Sequence, residues 1–315
     1  MVERLIFKNN IKNKKQPKII KSNFRLKMEK YFGKTAGDII FNSLNYLIFA
    51  LLLFICFYPF YHVLKTSLVA KKLVDGVPRQ VLSFESYIQI LNNEGLLKSF
   101  ILSIGVVFVY VLLHVFFTVL SAYPLTKKNL KGRKIILLVL VFSMLFSGGL
   151  IPFYILIRDI GLRGNILVYI IPGLISPFNI IIVRNFIQSI PEEIFESAKI
   201  DGASEMRILF NIVFPLSGPI IATIALWAGV GKWNDWMTGV LYMANDKDLW
   251  MIQQFLRNIL ITASSGQGVV DPEIMKMADG VKMAAIVISI VPIILIYPFV
   301  QKFFVKGVLL GSVKG

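Results

Sequence analysis

Apolar residues run in six long blocks along this chain, at 40–64, 99–123, 135–157, 165–183, 210–231 and 283–301, and every Asp, Glu, Lys and Arg lies outside them. A helix needs about 20 mostly apolar residues to cross a bilayer core, against roughly 9–11 for a barrel strand. Only helices and closed barrels satisfy their backbone hydrogen bonds there. The block lengths therefore predict an all-α membrane protein with six transmembrane helices. Prolines 59, 152, 172, 177, 215, 219, 292 and 298 fall within the blocks. A proline inside a soluble helix costs about 3 kcal/mol. In a bundle the freed carbonyls find partners on neighbouring helices, so kinks are expected rather than failure.

The polar segments between blocks set the orientation, because Lys and Arg collect on the cytoplasmic side. With the N-terminus inside, segments 1–39, 124–134, 184–209 and 302–315 hold 22 Lys/Arg, and the outer segments 65–98, 158–164 and 232–282 hold 12. The expected organisation is a basic cytoplasmic tail (1–39), a six-helix domain (40–301) with long outer loops 65–98 and 232–282, and a cytoplasmic C-terminal tail (302–315). Residues 1–38 lack the apolar core and small-residue cleavage site of a signal peptide. In them Ile19, Ile20, Phe24 and Leu26 interleave with Lys21, Arg25 and Lys27. That pattern suits a segment lying on anionic lipid, and equally a solvated basic tail.

Composition agrees with the blocks. The chain is 56% hydrophobic and 17% charged, with a net charge of +16, against about 45–50% and 25% in soluble domains. The excess of base is a topology signal, so a nucleic-acid partner is not called for. The single cysteine, Cys56, cannot form an internal bridge and is expected to be a small buried hydrophobe. Ionisable groups inside a membrane mark proton relays and ion paths. The blocks offer only His62 and His114, each expected to be a hydrogen-bonded packing residue. A membrane enzyme would need convergent titratable groups; the pair Asp246 and Asp248 is better explained as a solvated loop. Gly33-Lys34-Thr35 ends like a phosphate-binding loop, but Met28 stands where its first glycine belongs. Any energy used comes from a partner.

Segment 184–209 differs from every other, with five acids and three bases between two apolar blocks. Ser189 is expected to cap a helix, with Pro191, Glu192 and Glu193 in its first turn. Ile194, Phe195, Ala198 and Ile200 give it one apolar face. Gly202 would end it, and Ser204 with Glu205 would start a second helix running into the next block.

This helix–glycine–helix resembles the EAA loop of ABC importer permeases. In that family Glu-Ala-Ala is followed by three residues, Gly, nine residues and Ile-x-Leu-Pro. Here Glu196-Ser197-Ala198 precedes Lys199-Ile200-Asp201, then Gly202, then nine residues, then Ile212-Val213-Phe214-Pro215. The departures are Ser197 for Ala and Phe214 for Leu. Trp233-Asn234-Asp235-Trp236 and the ending 304–315 are similar to the carbohydrate-uptake branch. Within it the chain looks most like the maltose-type second permease subunit of oligosaccharide and polysaccharide importers. The resemblance implies a type I importer in the bacterial plasma membrane. A second, different permease pairs with this chain, an ATP-binding subunit dimer sits below, and an extracytoplasmic sugar-binding protein delivers the cargo. ATP and Mg belong to the ATPase, and this chain is expected to bind no cofactor. Glu196, Ala198, Asp201, Gly202 and Pro215 would form the ATPase-docking segment. Loop 232–282 would enter the binding protein's sugar cleft, or be a flexible linker.

Sugars offer C–H faces and hydroxyls, which suit aromatic rings, amides and acids. Trp227, Trp233, Asn234, Asp235 and Trp236 cluster at the outer end of the fifth block, with Ser176 and Asn179 the polar candidates in the fourth. Tryptophans also collect at membrane interfaces for physical reasons alone, and that explanation is favoured for the cluster. A non-sugar cargo, glycerol phosphate or polyamine, is the alternative. It would call for bases or acids in the path, which the blocks lack.

Overall fold

The computed structural model describes residues 36–74, 77–265 and 279–312, in two compact units, 1–62 and 63–315. The basic tail, the P-loop-like stretch and the Ser/Gly stretch beyond Ser265 lie outside the described residues. In the first unit the described chain is one continuous helix, the body of α1 (Ala36–Ser67), with Pro59 inside it. Cys56, expected to be buried, is exposed on α1. An apolar thiol needs no protein partner where hydrocarbon surrounds the helix.

The second unit opens with a hairpin of β1 (Val69–Val74) and β2 (Val77–Leu82), antiparallel with Val69 opposite Leu82. The short α2 (Glu85–Leu91) follows, then α3 (Glu94–Ala122), 29 residues capped by the Asn93 side chain. The buried positions of α3 include Ser99, Ser103, Val106, Tyr110, His114 and Thr118, spaced by threes and fours. Ile101, Ile104, Phe108 and Leu112 are exposed in between. The helix thus turns its polar stripe inward and its apolar face to lipid, the reverse of a soluble helix.

The third block is two helices, α4 (Arg133–Leu145) and α5 (Leu150–Asp159), bent by 113° at a break holding Gly148 and Gly149. Gly149 there has φ +87°. The fourth block is only partly helical. A 3-10 turn (Ile166–Tyr169) and an irregular stretch precede α6 (Pro177–Ile187), which is 11 residues long. Irregular backbone at membrane depth persists only when something satisfies it. Here α3 does so: Tyr110 donates its hydroxyl to the Gly173 carbonyl at 2.8 Å, and His114 Nδ1 donates to the Leu174 carbonyl at 2.8 Å.

The loop helix α7 (Glu192–Ile200) leads to α8 (Glu205–Ile208), which continues as a π-helical turn (Leu209–Val213) and a last turn (Phe214–Leu216) before α9 (Gly218–Trp233). Pro215 has no N–H to offer the carbonyl four residues back, so the chain widens to π geometry just before it. Pro219 withholds the next such bond, and the axis bends by 77° between Leu216 and Gly218. Among the described residues, α10 (Met237–Tyr242) and α11 (Ile252–Ser265) precede the 34-residue α12 (Asp279–Ser312). Much of loop 232–282 is therefore folded. Trp250, Met251, Ile252, Phe255, Leu256 and Ile259 are buried there against α2, α3 and α12. Among the described residues, α1, α3 and α12 can each cross a bilayer alone by length and composition, and the bent pairs α4–α5 and α8–α9, counted as one span each, bring the number up to five. The segment around α6 follows the fourth block without a full-length helix.

The second unit holds two apolar clusters. One joins α2, α10, α11 and the first halves of α3 and α12 around Tyr169, Trp233 and Trp250. The other joins the end of α3 to α6 and α8 around Ile187, Ile208 and Leu209. The candidate sites border these clusters.

Candidate functional site

The loop 184–209 closes on a tight left-handed turn. Gly202 has φ +76°, its N–H donates to the Lys199 carbonyl at 3.0 Å, and the Ala203 N–H reaches back to the Ala198 carbonyl at 2.9 Å. This is the paired bonding that closes a helix on a glycine, with its usual apolar contact: Ala198 and Ala203 both pack on the second cluster. Ser204 caps α8, accepting from the Arg207 N–H at 3.3 Å. Ser189 does not cap α7: its hydroxyl donates backwards to the Phe186 carbonyl at 2.6 Å, and the cap position falls on Pro191. Glu196 and Asp201 are exposed, and Phe195 is tucked against the second cluster.

Glu205 fastens this loop to α3. One carboxylate oxygen accepts from the Tyr123 hydroxyl and from Lys127 Nζ at 2.9 Å, and the other lies 3.7 Å from Lys199 Nζ. Lys127 also sits over the Tyr123 ring, 4.5 Å from its centroid. The Tyr123 hydrogen bond, and then Lys127, hold the Glu205 carboxyl below its ordinary value. Beside this clasp, Arg133 from α4 and Arg184 from α6 both donate Nε to the Leu125 carbonyl, at 2.8 and 2.9 Å. The ends of α3, α6 and α7 and the starts of α4 and α8 thus meet in one polar junction.

Toward the first cluster, α3, α9 and the irregular fourth segment border an open cleft of about 500 Å³, lined in part by Tyr110, Gly173, Trp227, Lys232, Asp235 and Thr238. Lys232 is 9% exposed. Its ammonium donates to Asp235 Oδ2 at 2.9 Å and lies over the Tyr110 ring, 4.7 Å from its centroid. Asp235 also accepts from the Thr238 N–H at 3.1 Å and the Thr238 hydroxyl at 2.8 Å. A second cavity of about 640 Å³, bordered by Gly148, Gly149 and Tyr242, shares Phe153 and Thr238 with the first. Among the described residues, no three His, Cys, Asp or Glu converge to hold a metal.

Residues 97–310 match the family described as binding-protein-dependent transport system inner membrane component. The chain belongs to this family. Its members are transport components, not enzymes. The polygalacturonan/rhamnogalacturonan transport system permease protein YtcP of Bacillus subtilis (strain 168) is 40% identical over 289 residues, covering 88% of this chain and 99% of YtcP. Protein LplC of the same organism is 44% identical over 240 residues, covering 74% of this chain and 79% of LplC. A crystal structure of a bacterial ABC transporter involved in the import of the acidic polysaccharide alginate superposes with TM-score 0.77 and 28% identity, covering 86% of this chain and 99% of that one. The permease fold expected from the sequence is therefore present.

Within this permease the residues singled out from sequence separate. Glu196, Ala198, Asp201 and Gly202 fall together on one loop, and Pro215 lies beyond the π turn. Trp227 and Asp235 meet at the charged cavity. Trp233 is 5% exposed, donates its indole N–H to the Ser289 carbonyl at 3.1 Å, and belongs to the core. Trp236 stacks under Arg257, whose guanidinium is 3.5 Å from the ring centroid. Asn234 is exposed and donates to the Val230 carbonyl at 2.8 Å. Ser176 caps α6, and Asn179 is buried with its amide donating to His114 Nε2 at 2.8 Å. Neither lines the two cavities described. Lys232, Tyr110 and Thr238 escaped the sequence reading. Lys232 lies one residue past the fifth block, yet α9 runs through it, and the i,i+3 spacing to Asp235 was the available signal.

Proposed function

We propose that this chain is the permease subunit of an ATP-driven carbohydrate importer, forming half of the path for an oligosaccharide and coupling it to a partner ATPase. The observation that carries it is the α7–Gly202–α8 loop, a stiff, small-residue turn whose acids Glu196 and Asp201 are exposed and whose base is clasped to α3 through Glu205. Glu196 meets a basic residue of the ATPase, and closure of the ATPase pair moves the loop and, through Glu205 and the α8–α9 bend, the helices beyond. The ATPase state shifts the permease equilibrium by differential contacts; a change from 1:99 to 99:1 takes about 5.5 kcal/mol. Both termini and this loop face the cytoplasm, and the folded part of 232–282 faces the extracytoplasmic sugar-binding protein. A second, different permease completes the path, and ATP with Mg is held by the ATPase dimer. The saccharide class is supported by the transport names of the similar permeases. Glycerol phosphate or polyamine is less favoured, since the cavity holds one base already paired with one acid.

Purification of the tagged chain from native membranes tests this. The expected result is co-purification of an ATP-binding subunit and a second permease, with ATP hydrolysis stimulated by binding protein loaded with an oligosaccharide. A chain that purifies without an ATP-binding subunit overturns the proposal.

A further inference from the structure

We propose that Arg133 and Arg184 form a clamp for a phosphate group, and that this phosphate is the headgroup of an anionic phospholipid bound at the start of α4. Both guanidinium groups donate Nε to one oxygen, the Leu125 carbonyl, at 2.8 and 2.9 Å. A carbonyl oxygen has two lone pairs, so these bonds fill it and hold the two side chains next to each other. A guanidinium has five donors. Arg184 gives a second one to Asn185 Oδ1 at 3.0 Å, and the other Nη donors of both arginines have no acceptor among the described residues. The carboxylate of this junction, Glu205, is taken up by Tyr123, Lys127 and Lys199. Like charges held this close repel each other, and among the described residues no acid pairs with either arginine.

The first turn of α4 adds to the positive field. A helix N-terminus is itself partly positive and favours acids. This one starts with Arg133 and Lys134 and has no acid in its first turn. Gly132 supplies no cap, and the Lys134 and Ile135 N–H groups have no acceptor among the described residues. Free N–H groups at the positive end of a helix favour a bound anion, and arginine forks match the paired oxygens of a phosphate. The apolar surroundings decide where the phosphate comes from. No residue of α4 is buried. On the face of Lys134, Leu138 and Val141 follow at helical spacing, 71% and 46% exposed. That stripe offers acyl chains a surface directly beyond the headgroup. Free phosphate cannot use it, and an acid on a soluble partner would leave it bare. Basic pockets where membrane helices reach the interface suit anionic headgroups for this reason. Because Arg133 and Arg184 belong to α4 and α6 and share a carbonyl at the end of α3, the bound lipid braces all three helix ends.

The test uses the tagged chain purified with its accompanying subunits and stripped of lipid in a non-ionic detergent. The probes are dioleoylphosphatidylglycerol, dioleoylphosphatidylcholine and inorganic phosphate, in salt strong enough to screen exposed charges. Native mass spectrometry counts bound lipid, and the melting midpoint is followed with each probe. Wild type is expected to bind phosphatidylglycerol about tenfold more tightly than phosphatidylcholine and to melt higher with it. Arg133→Gln/Arg184→Gln should weaken that binding about tenfold, as the loss of charged hydrogen bonds predicts. Lys128→Gln/Lys131→Gln removes the same charge from exposed bases of the same segment and should weaken it less than about threefold. If the arginine variant does not assemble, Arg133→Lys, which keeps the charge and loses the fork, should still weaken binding about threefold or more. Equal losses in the arginine and lysine variants overturn the clamp, since diffuse charge then suffices, and so does equal binding of the two lipids. If inorganic phosphate displaces phosphatidylglycerol and alone raises the midpoint as far, the lipid source is overturned and the phosphate clamp is upheld. If the arginine variant loses the ATP-binding subunit while its lipid binding is unchanged, the arginines face a protein and the proposal is overturned. None of these outcomes depends on the cargo, so the importer reading is tested separately.

Discussion

Replacing Gly202 isolates the coupling turn from every other feature of the loop. The residue sits at φ +76°, and a Cβ added there would meet nothing within 4 Å. Crowding is therefore absent, and the whole penalty is conformational. A residue with a Cβ pays about 1–2 kcal/mol to remain left-handed. Unwinding the turn instead gives up the bonds from Gly202 and Ala203 to Lys199 and Ala198, each worth about 0.5–1.5 kcal/mol. The two routes cost about the same, so Gly202→Ala leaves the loop divided between a strained closed turn and a frayed one. One or two kcal/mol is a factor of about 5–30 in such a balance. The assay is ATP hydrolysis by the assembled complex, with and without loaded binding protein. Gly202→Ala should lower the stimulated rate by up to about that factor and change the unstimulated rate little. Asn enters the left-handed region more readily, so Gly202→Asn should recover much of the loss, and Gly202→Val should be the worst of the three. Full stimulation in Gly202→Ala, or identical losses in Ala and Asn, would refute the reasoning.

Three further outcomes follow from contacts described above. Glu205→Gln keeps a partner for Tyr123 but loses both lysine pairs; such exposed pairs are worth up to about 1 kcal/mol, so stimulated hydrolysis should drop a few-fold, and the wild-type value should move toward the variant's at high salt. Since the folded Glu205 carboxyl titrates below its ordinary value near 4.5, its contribution is complete above that value and is lost only as pH falls through the lower one; stimulation should show no clasp-dependent change between about pH 5 and 8. Asn179→Ala strips the buried His114 Nε2 of its donor, a cost of about 1–3 kcal/mol, measured as a lower melting midpoint in detergent; an unchanged midpoint would show the pair to be idle. Gly239→Ala places a methyl 1.7 Å from Gln254 Oε1 and 3.0 Å from the Tyr169 hydroxyl, overpacking the α10–α11 contact by about 1–3 kcal/mol, and adding Gln254→Ala should restore most of the loss.

The six apolar blocks were legible because hydrocarbon imposes a simple rule on composition, and the loop because Glu196, Gly202 and Pro215 hold fixed spacings. What escaped depends on partners distant in sequence. The charge-free block 210–231 ended where Lys232 began, yet Asp235, Thr238 and Tyr110 together let α9 carry that charge inside. The fourth block has the composition of a span, but Pro172, Gly173 and Pro177 interrupt it, and donors on α3 make the interruption tolerable. Segment 232–282 looked like a loop by polarity. The buried Phe255, Leu256 and Ile259 recur at helical spacing and mark α11 as amphipathic. Asp75-Gly76 between two β-rich runs was a hairpin signal left unused. Ser189 failed as a cap because its hydroxyl had a nearer carbonyl behind it.

The shortness of α6 bears on how the protein is made. Eleven residues rise only about 16 Å, roughly half of a bilayer core of about 30 Å. As it leaves the ribosome, this stretch cannot partition into lipid as an independent span. The Gly173 and Leu174 carbonyls in the irregular stretch before it would stand bare until α3, already synthesised, supplies Tyr110 and His114. Membrane insertion of the fourth segment is thus a tertiary folding event, and the polar stripe of α3 is the template on which it occurs.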